Sequence, residues 1–170
     1  MKLDNCIRVI PDFPKKGILF RDITTLLNDT KSFKKAVNSL ANQAKNKKID
    51  YIMAAESRGF IFAGALSYKL NCGFIPVRKP GKLPAKTYSY SYSLEYGNDT
   101  LEVHRDACKP ESSILILDDL LATGGTAFAM AQLVKKLGAK IAGITFLIEL
   151  SALEGRKKLK NYPVFSVIKY

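Results

Sequence analysis

The residues best suited to do chemistry lie in one short stretch, residues 114–126. Four aliphatic residues are followed by Asp118 and Asp119, and then by the sequence Leu-Leu-Ala-Thr-Gly-Gly-Thr. This order predicts a strand, a loop that can bind an anion, and a helix whose positive N-terminal end adds to the attraction. Two neighbouring carboxylates suit the vicinal hydroxyls of a ribose, with Mg²⁺ nearby. The stretch therefore predicts a site for a sugar phosphate with free hydroxyls.

The loop in this stretch has the composition of a phosphate cradle. Gly124 and Gly125 let the backbone approach a phosphate closely, and Thr123 and Thr126 add hydroxyl donors. A helix N-cap beside acids that suit the helix dipole is the simpler alternative, but the complete run is more specific than a lone Asp-Asp pair. The loop matches neither a Walker A motif nor a Gly-x-Gly-x-x-Gly fingerprint. Because ligands of open α/β sheets bind beyond the carboxyl ends of strands, we expect a site at this loop.

The surrounding hydrophobic pattern indicates alternating strands and helices, and hence an α/β domain with a mainly parallel sheet. Tyrosines alternate with serines from Thr87 to Tyr96, which is the period of a strand, and a turn with a return strand to His104 completes a hairpin. The other predicted strands lie at 50–55, 74–77, 114–117, 141–148 and 164–168. Helices are predicted over 33–44 (capped by Asp29 or Thr30), after Gly59, over 126–137 and near 151–159.

The composition is that of a soluble globular domain. The chain has 170 residues, of which 47% are hydrophobic and 25% charged, so one domain with a sizeable core is expected. No apolar run reaches the ~18 residues that a membrane span needs, and residues 1–8 show no signal pattern, so we expect a cytoplasmic protein without a membrane partner. Three widely spaced cysteines and a single histidine disfavour a disulfide framework, a zinc site and a histidine-based triad.

The chain is strongly basic, with a formal net charge of 27 − 15 = +12. Such a charge attracts polyanions in general: nucleic acids, acidic membranes or phosphate-rich metabolites. Two basic groups, at 31–48 and 156–160, belong to predicted helices, where solvated surface charge is the common explanation. The third lies in the basic loop, residues 78–87, which contains glycine and proline and no acid, and this loop is the better candidate for binding an anion. Its members are Arg78, Lys79, Lys82 and Lys86.

The stretch 114–126 resembles the phosphoribosyl-pyrophosphate signature of type I phosphoribosyltransferases. Six further segments, in order along nearly the whole chain, are similar to the adenine phosphoribosyltransferases of that family. These segments are Asp12-Phe13-Pro14, Gly17, Phe20-Arg21-Asp22-Ile23, Glu56-Ser57-Arg58-Gly59-Phe60, Arg78-Lys79-Pro80-Gly81-Lys82-Leu83-Pro84 and Tyr92-Ser93-Leu94-Glu95-Tyr96-Gly97.

The resemblance implies the type I phosphoribosyltransferase fold: a mainly parallel central sheet flanked by helices, in one domain over 1–170. It also implies a flexible hairpin loop at about 81–99 and a small hood at about 1–30. The implied reaction converts adenine and phosphoribosyl pyrophosphate into AMP and pyrophosphate. Mg²⁺ is then bound through the substrate, near Asp118 and Asp119, with no direct protein ligand. A homodimer is implied, and no specific nucleic acid partner.

The resemblance further implies roles for individual residues. Glu95 accepts the proton of the attacking base, Arg58 acts beside the adenine, and Tyr96 lines the site from the hairpin. A non-proline cis peptide is common in the family at the segment that begins with Glu56. Adenine is expected against Leu19, Phe20, Arg58 and Leu150. Pyrophosphate is expected against Glu56, Ser57, Arg58, Arg78, Lys79 and Lys82, and the phosphoribosyl group or AMP against Asp118, Asp119, Ala122, Thr123, Gly124, Gly125 and Thr126.

Two other functions are compatible with parts of this pattern. One is a phosphoribosyltransferase for another base, such as hypoxanthine, guanine, xanthine or orotate. The other is a purine-responsive nucleic-acid regulator on the same fold, for which the charge of +12 is the main argument. Glu95 and the basic loop favour the enzyme over the regulator.

Overall fold

The computed structural model of the chain describes residues 2–93 and 98–170. These residues form two compact units, Met1–Ser39 and Leu40–Tyr170. In the described parts of the chain, we find no helix of sufficient length and apolar character to cross a membrane. The single domain and the cytoplasmic location expected from the sequence stay predictions.

The structure contains nine strands and four α-helices in its described residues. Short 3₁₀ helices cover Asp4–Cys6, Ser151–Leu153 and Gly155–Leu159. The strands and helices are β1 Arg8–Ile10, β2 Phe20–Asp22, α1 Thr24–Asn28, α2 Thr30–Gln43, β3 Tyr51–Ala55, α3 Arg58–Leu70, β4 Gly73–Val77, β5 Thr87–Ser93, β6 Asn98–His104, β7 Ser113–Leu121, α4 Gly125–Lys136, β8 Lys140–Glu149 and β9 Val164–Lys169.

The second unit is built on a parallel sheet of five strands in the order β4-β3-β7-β8-β9. Its central strands are near-continuous apolar runs because both faces are covered, as the buried residues of β7 at 114–117 illustrate. Helices α3 and α4 pack on this sheet, and Phe62 and Leu133 are among their buried residues. The predicted α/β class with a mainly parallel sheet is confirmed.

Strand β7 is longer than the aliphatic run predicted. It continues to Leu121, and Asp118 pairs with Phe146 of β8. The two acids therefore lie inside the last part of the strand instead of beyond its end. The long partner strand β8 explains this difference, because it offers backbone partners as far as Glu149.

The tyrosine-rich stretch forms the predicted antiparallel hairpin, β5 with β6. Tyr88, Tyr90 and Tyr92 pack against the core, and Tyr90 meets Phe128 of α4 edge-on, with 6.3 Å between ring centroids. The tip of the hairpin, residues 94–97, lies outside the described residues. The predictions for Glu95 and Tyr96 fall on this tip.

The first unit contains a feature that the sequence analysis did not predict. Strands β1 and β2 pair antiparallel around the proline-containing loop, and the Phe13–Pro14 peptide is cis. The Asp22 carboxylate accepts hydrogen bonds from Thr24 N at 3.0 Å and Arg8 Nε at 3.0 Å, and these bonds lower its pKa to about 2. Asp22 thereby connects the β-hairpin to the start of α1.

The helix predicted near 151–159 is instead two 3₁₀ turns, Ser151–Leu153 and Gly155–Leu159. Between them, Glu154 adopts a left-handed conformation with φ 52°, which interrupts a regular α-helix. The Glu149 carboxylate, at the end of β8, holds this segment through two bonds from Arg156, at 2.7 Å to Nε and 2.8 Å to Nη2.

Candidate active site

The loop between β7 and α4 forms a small concave cradle. Helix α4 begins at Gly125, and the preceding Gly124 has φ 80°, a left-handed conformation that favours glycine. Among the described residues, no side chain caps the first turn of this helix. A cavity of 60 Å³ lies within the loop and is lined by residues 120–127 and Phe146. Uncapped amides at a helix N-terminus are suited to an anion such as phosphate.

Gly155 packs against the backbone of this cradle at Gly124. A Cβ atom at Gly124 would lie 2.5 Å from Gly155 O. A Cβ atom at Gly155 would overlap Ala122 O and lie 3.0 Å from Gly124 N. The 3₁₀ segment therefore touches the loop backbone to backbone, and neither position has room for a side chain.

The two carboxylates lie next to the cradle, where the first turn of α3 meets β7. Asp119 is buried, and its Oδ2 is 2.8 Å from Arg58 Nε. The Asp118 Oδ1 atom accepts the Asp119 amide at 2.9 Å, and a Cβ atom at Gly59 would lie only 3.0 Å from it. The absence of a side chain at Gly59 thus lets α3 approach Asp118 closely.

The environment of these two acids disfavours their charged forms. Burial and repulsion from Asp119 raise the pKa of Asp118 well above its ordinary value. Burial also raises the pKa of Asp119, although the Arg58 guanidinium opposes the shift. Hydrogen-bond donors or a cation brought to the pair would stabilise both carboxylates, and the vicinal hydroxyls of a ribose are such donors.

Glu56 connects the carboxyl end of β3 to the basic loop. Its carboxylate accepts hydrogen bonds from the Lys79 backbone amide at 2.6 Å and from Arg78 Nη2 at 3.0 Å. The hydrogen bond from the Lys79 amide is the main reason that the pKa of Glu56 is lowered. Arg78 Nη1 also donates to Lys82 O at 3.4 Å. The Glu56–Ser57 peptide is cis, as the family resemblance implied. One carboxylate thereby holds the Arg78 guanidinium and the backbone of the basic loop.

A chain of side-chain contacts leads from the basic loop to the cradle. Lys79 Nζ pairs with Asp99 Oδ2 of β6, and the Tyr92 hydroxyl donates to the same oxygen at 3.1 Å. The Tyr92 hydroxyl is also 3.2 Å from Thr126 Oγ1. Tyr92 therefore contacts both the hairpin carboxylate and the phosphate cradle.

The residues expected near adenine fall in both units. In the first unit, Phe20 packs edge-on with Phe13, with 5.1 Å between centroids, and Leu19 is 56% exposed. In the second unit, the Leu150 amide donates to Leu121 O at 2.9 Å. This bond ties Leu150 to the end of β7, and the Leu150 carbonyl oxygen accepts the Leu153 amide at 3.0 Å.

The comparisons with known proteins agree with this geometry. The family model for the phosphoribosyl transferase domain matches residues 24–169. An adenine phosphoribosyltransferase of Brachyspira hyodysenteriae is 59% identical over 170 residues, which cover 100% of both chains. The chain belongs to the adenine phosphoribosyltransferase family.

Solved structures of the adenine phosphoribosyltransferase family have the same fold. The enzyme of Thermoanaerobacter pseudethanolicus is 54% identical, with a TM-score of 0.96 over 99% of this chain and 98% of that one. The Saccharomyces cerevisiae enzyme, solved with an imino-altritol bisphosphate and adenine, is 40% identical, with a TM-score of 0.92 over 97% and 96% of the two chains. The predicted type I phosphoribosyltransferase fold is confirmed.

Within this family fold, the structure brings together most of the site residues predicted in the second unit. Residues 122–126 line one cavity. Asp119 contacts Arg58, and Glu56 contacts Arg78 and Lys79 of the basic loop. Sequence reasoning missed Tyr92, Asp99 and Gly155. Tyr92 is one of several equivalent tyrosines in a strand pattern, Asp99 lies beside the predicted hairpin turn, and Gly155 lies in a segment predicted as an ordinary helix.

Proposed function

We propose that the chain transfers the 5-phosphoribosyl group from phosphoribosyl pyrophosphate to adenine and releases AMP and pyrophosphate. The observation that carries this proposal is the acid pair Asp118-Asp119 placed directly before an uncapped, glycine-lined cradle at the start of α4. Membership of the adenine phosphoribosyltransferase family supports it, as does the yeast relative solved with adenine and a sugar-like bisphosphate.

The cradle is proposed to bind the 5-phosphate. Residues Ala122 to Thr126 line the 60 Å³ cavity, and their backbone amides, with the Thr123 and Thr126 hydroxyls, are proposed to supply neutral donors at the positive end of α4. The ribose then lies beside the acids, whose raised pKa values favour partners that donate hydrogen bonds or carry positive charge. Carboxylates near the sugar also stabilise the positive charge that develops at its anomeric carbon.

The basic loop is proposed to receive the pyrophosphate. In the reaction, N9 of adenine forms a bond to the anomeric carbon, the bond from that carbon to the pyrophosphate oxygen breaks, and its electron pair leaves with pyrophosphate. Arg78, Lys79 and Lys82 can neutralise that leaving charge, while Glu56 orients the loop backbone and Ser57 adds a hydroxyl at the first turn of α3. Arg58 lies at the same turn, against Asp119.

The base-side assignments are also part of the proposal. Leu19 and Phe20 of the first unit, and Arg58 and Leu150 of the second, are each proposed as adenine-binding residues, and Tyr96 is proposed to line the site. The proton on N9 must leave as the new bond forms, and Glu95 is proposed as its acceptor. Glu95 and Tyr96 lie outside the described residues.

Mg²⁺ is proposed as the cofactor, bound chiefly by oxygen atoms of the substrate. Among residues 2–93 and 98–170, no group of three or more His, Cys, Asp or Glu side chains could hold a metal ion. The donors present, the Asp118 and Asp119 carboxylates, suit Mg²⁺, which commonly uses one or two carboxylates, water and substrate phosphates. When bound, the ion would neutralise charge on the pyrophosphate.

A base panel tests the proposed reaction. The protein is incubated with labelled phosphoribosyl pyrophosphate, with and without Mg²⁺, and with adenine, hypoxanthine, guanine, xanthine or orotate in turn. We expect AMP formation with adenine and Mg²⁺, and no comparable product with the other bases. Turnover of hypoxanthine without turnover of adenine would refute the base assignment. Salt-sensitive, sequence-selective nucleic-acid binding without AMP formation would instead favour the regulator.

We also propose that the chain forms a homodimer through the exposed side of α3. Ile61 and Tyr68 are seven residues apart on one face of this helix, with exposures of 42% and 92%, and Phe74 of the neighbouring strand is 36% exposed. An exposed apolar strip of this kind is typical of a protein interface. A second copy is the proposed occupant because the family resemblance implies a homodimer.

Sedimentation equilibrium tests the dimer. We expect twice the mass of one chain for the parent protein. The variant Tyr68→Asp is expected to raise the dimer dissociation constant by at least about tenfold, because it buries a charge in the interface. The circular dichroism spectrum should be unchanged. A parent protein that sediments as a monomer at micromolar concentration would contradict the proposal.

A further inference from the structure

We propose that Tyr92 and Asp99 of the hairpin are positioning residues that set the affinity of the site for the two anionic ends of its substrate. Through Thr126, Tyr92 controls binding of the 5-phosphate, and through Lys79, Asp99 controls binding of pyrophosphate. This inference rests on the proposed function, because it concerns the same site.

Tyr92 and Asp99 face each other directly across the hairpin, as partners in the register of β5 and β6. The Tyr92 ring covers the start of α4, since a Cβ atom at Gly125 would lie 3.1 Å from its Cδ2. Its hydroxyl is 3.1 Å from Asp99 Oδ2 and 3.2 Å from Thr126 Oγ1. The same Asp99 oxygen pairs with Lys79 Nζ.

The direction of these hydrogen bonds follows from counting protons. Although burial opposes it, the hydrogen bond from Lys79 lowers the pKa of Asp99, so this carboxylate is charged and only accepts. Burial raises the pKa of Tyr92, so the phenol keeps its single proton and donates it to Asp99. Thr126 must therefore donate its own proton to the Tyr92 oxygen.

This arrangement makes the hairpin a competitor of the 5-phosphate. A threonine hydroxyl has one proton, so Thr126 can donate to a phosphate oxygen only after it releases Tyr92. Phosphate binding therefore breaks one hydrogen bond between neutral groups, and the free energy of that bond reduces the affinity by a modest but measurable amount.

The competition at Lys79 has a different chemical basis. The Lys79 side chain is 47% exposed and the Asp99 side chain is 19% exposed, so solvent only partly screens this ion pair. Pyrophosphate must replace the carboxylate as the counter-ion of Lys79. Because the Thr126–Tyr92 hydrogen bond and the Lys79–Asp99 ion pair involve different atoms, separate variants can remove each interaction without the other.

The variant Tyr92→Phe removes the hydrogen bond to Thr126 of the cradle and leaves the Lys79–Asp99 ion pair in place. It keeps the ring over Gly125 and removes the oxygen that accepts from Thr126. We expect the dissociation constant of ribose 5-phosphate, measured by titration calorimetry, to fall about three- to tenfold. The constant for pyrophosphate with Mg²⁺ should change by less than about twofold, since Lys79 keeps its carboxylate partner.

The variant Asp99→Asn removes the ion pair with Lys79 of the basic loop and leaves the Tyr92–Thr126 hydrogen bond in place. An asparagine oxygen can still accept the Tyr92 proton, but it no longer neutralises Lys79. We expect pyrophosphate with Mg²⁺ to bind about threefold more tightly, and ribose 5-phosphate to bind as in the parent protein. Tyr90→Phe is the matched control, because it removes a hydroxyl from the same face of the same strand and should alter neither constant.

The outcomes separate the inference from the function on which it rests. Failure of the parent protein to bind both ribose 5-phosphate and pyrophosphate would overturn the proposed function and the inference together. Normal binding by the parent protein with unchanged or weaker ribose 5-phosphate binding by Tyr92→Phe would overturn the inference alone. The same holds if Asp99→Asn leaves pyrophosphate binding unchanged or weakens it, or if Tyr90→Phe reproduces the effect.

Discussion

The double variant Asp118→Asn, Asp119→Asn is expected to lose at least about a thousandfold in kcat/KM for phosphoribosyl pyrophosphate. Asparagine matches the shape of aspartate but carries no charge, so it accepts weaker hydrogen bonds from the ribose hydroxyls and does not stabilise the positive charge that develops on the sugar. The loss is measured by steady-state kinetics with adenine and Mg²⁺. Near-normal activity of this variant would remove the acid pair from the chemistry.

The same variant should keep its fold and show a distinct dependence of stability on pH. Folding raises the pKa of both acids, so the folded parent binds protons more tightly than the unfolded chain. Its free energy of unfolding therefore loses a contribution as the pH rises through these pKa values. The variant has no such groups, so its stability relative to the parent should increase as the pH rises above the ordinary pKa of an aspartate, about 4.

Urea unfolding across this pH range measures that difference. The Arg58 side chain loses its carboxylate partner in the variant, but it is 38% exposed and can be solvated by water. A variant that becomes less stable than the parent as the pH rises would show that the pair is needed for the fold, and would contradict a role confined to the ligand.

The variant Gly155→Ala is expected to lower kcat/KM for phosphoribosyl pyrophosphate by about ten- to a hundredfold. The new Cβ atom would overlap Ala122 O and crowd Gly124 N, both of which are backbone atoms of the cradle. The φ angle of Gly155 is outside the left-handed region, so the effect is steric and comes from displacement of the phosphate loop. Overpacking of this kind also costs about 1–3 kcal/mol in the free energy of unfolding.

Gly64→Ala is the matched control for this substitution. Gly64 lies within α3, and apart from the neighbouring backbone of its own helix no atom lies within 4 Å of a Cβ built there. Because Gly64 shares the exposed side of α3 with Ile61 and Tyr68, the control is first shown to sediment like the parent protein. It should then leave the kinetics unchanged and raise the free energy of unfolding by about 0.5–1 kcal/mol, because alanine favours the helix. Parent-like kinetics for Gly155→Ala would mean that the loop position does not depend on the glycine contact.

Local sequence patterns were sufficient to predict the elements of this site. The aliphatic run, the acid pair and the glycine-containing loop are contiguous within residues 114–126, so strand, cradle and helix follow from short-range preferences alone. The basic loop and the tyrosine hairpin are visible for the same reason. The reaction and the roles of individual site residues came from the family resemblance, because a hydrophobic pattern predicts secondary structure and not chemistry.

Only the tertiary structure decided which of these segments touch. The contacts of Arg58 with Asp119, Glu56 with Lys79, Tyr92 with Thr126, and Gly155 with Gly124 each join segments that are far apart in the chain. They depend on the strand order β4-β3-β7-β8-β9 and on how closely backbones approach one another. A local pattern records the preference of a segment for helix, strand or turn, but it does not record the partner that the segment meets across the fold. The residues that position the cradle were therefore invisible until the sheet was assembled.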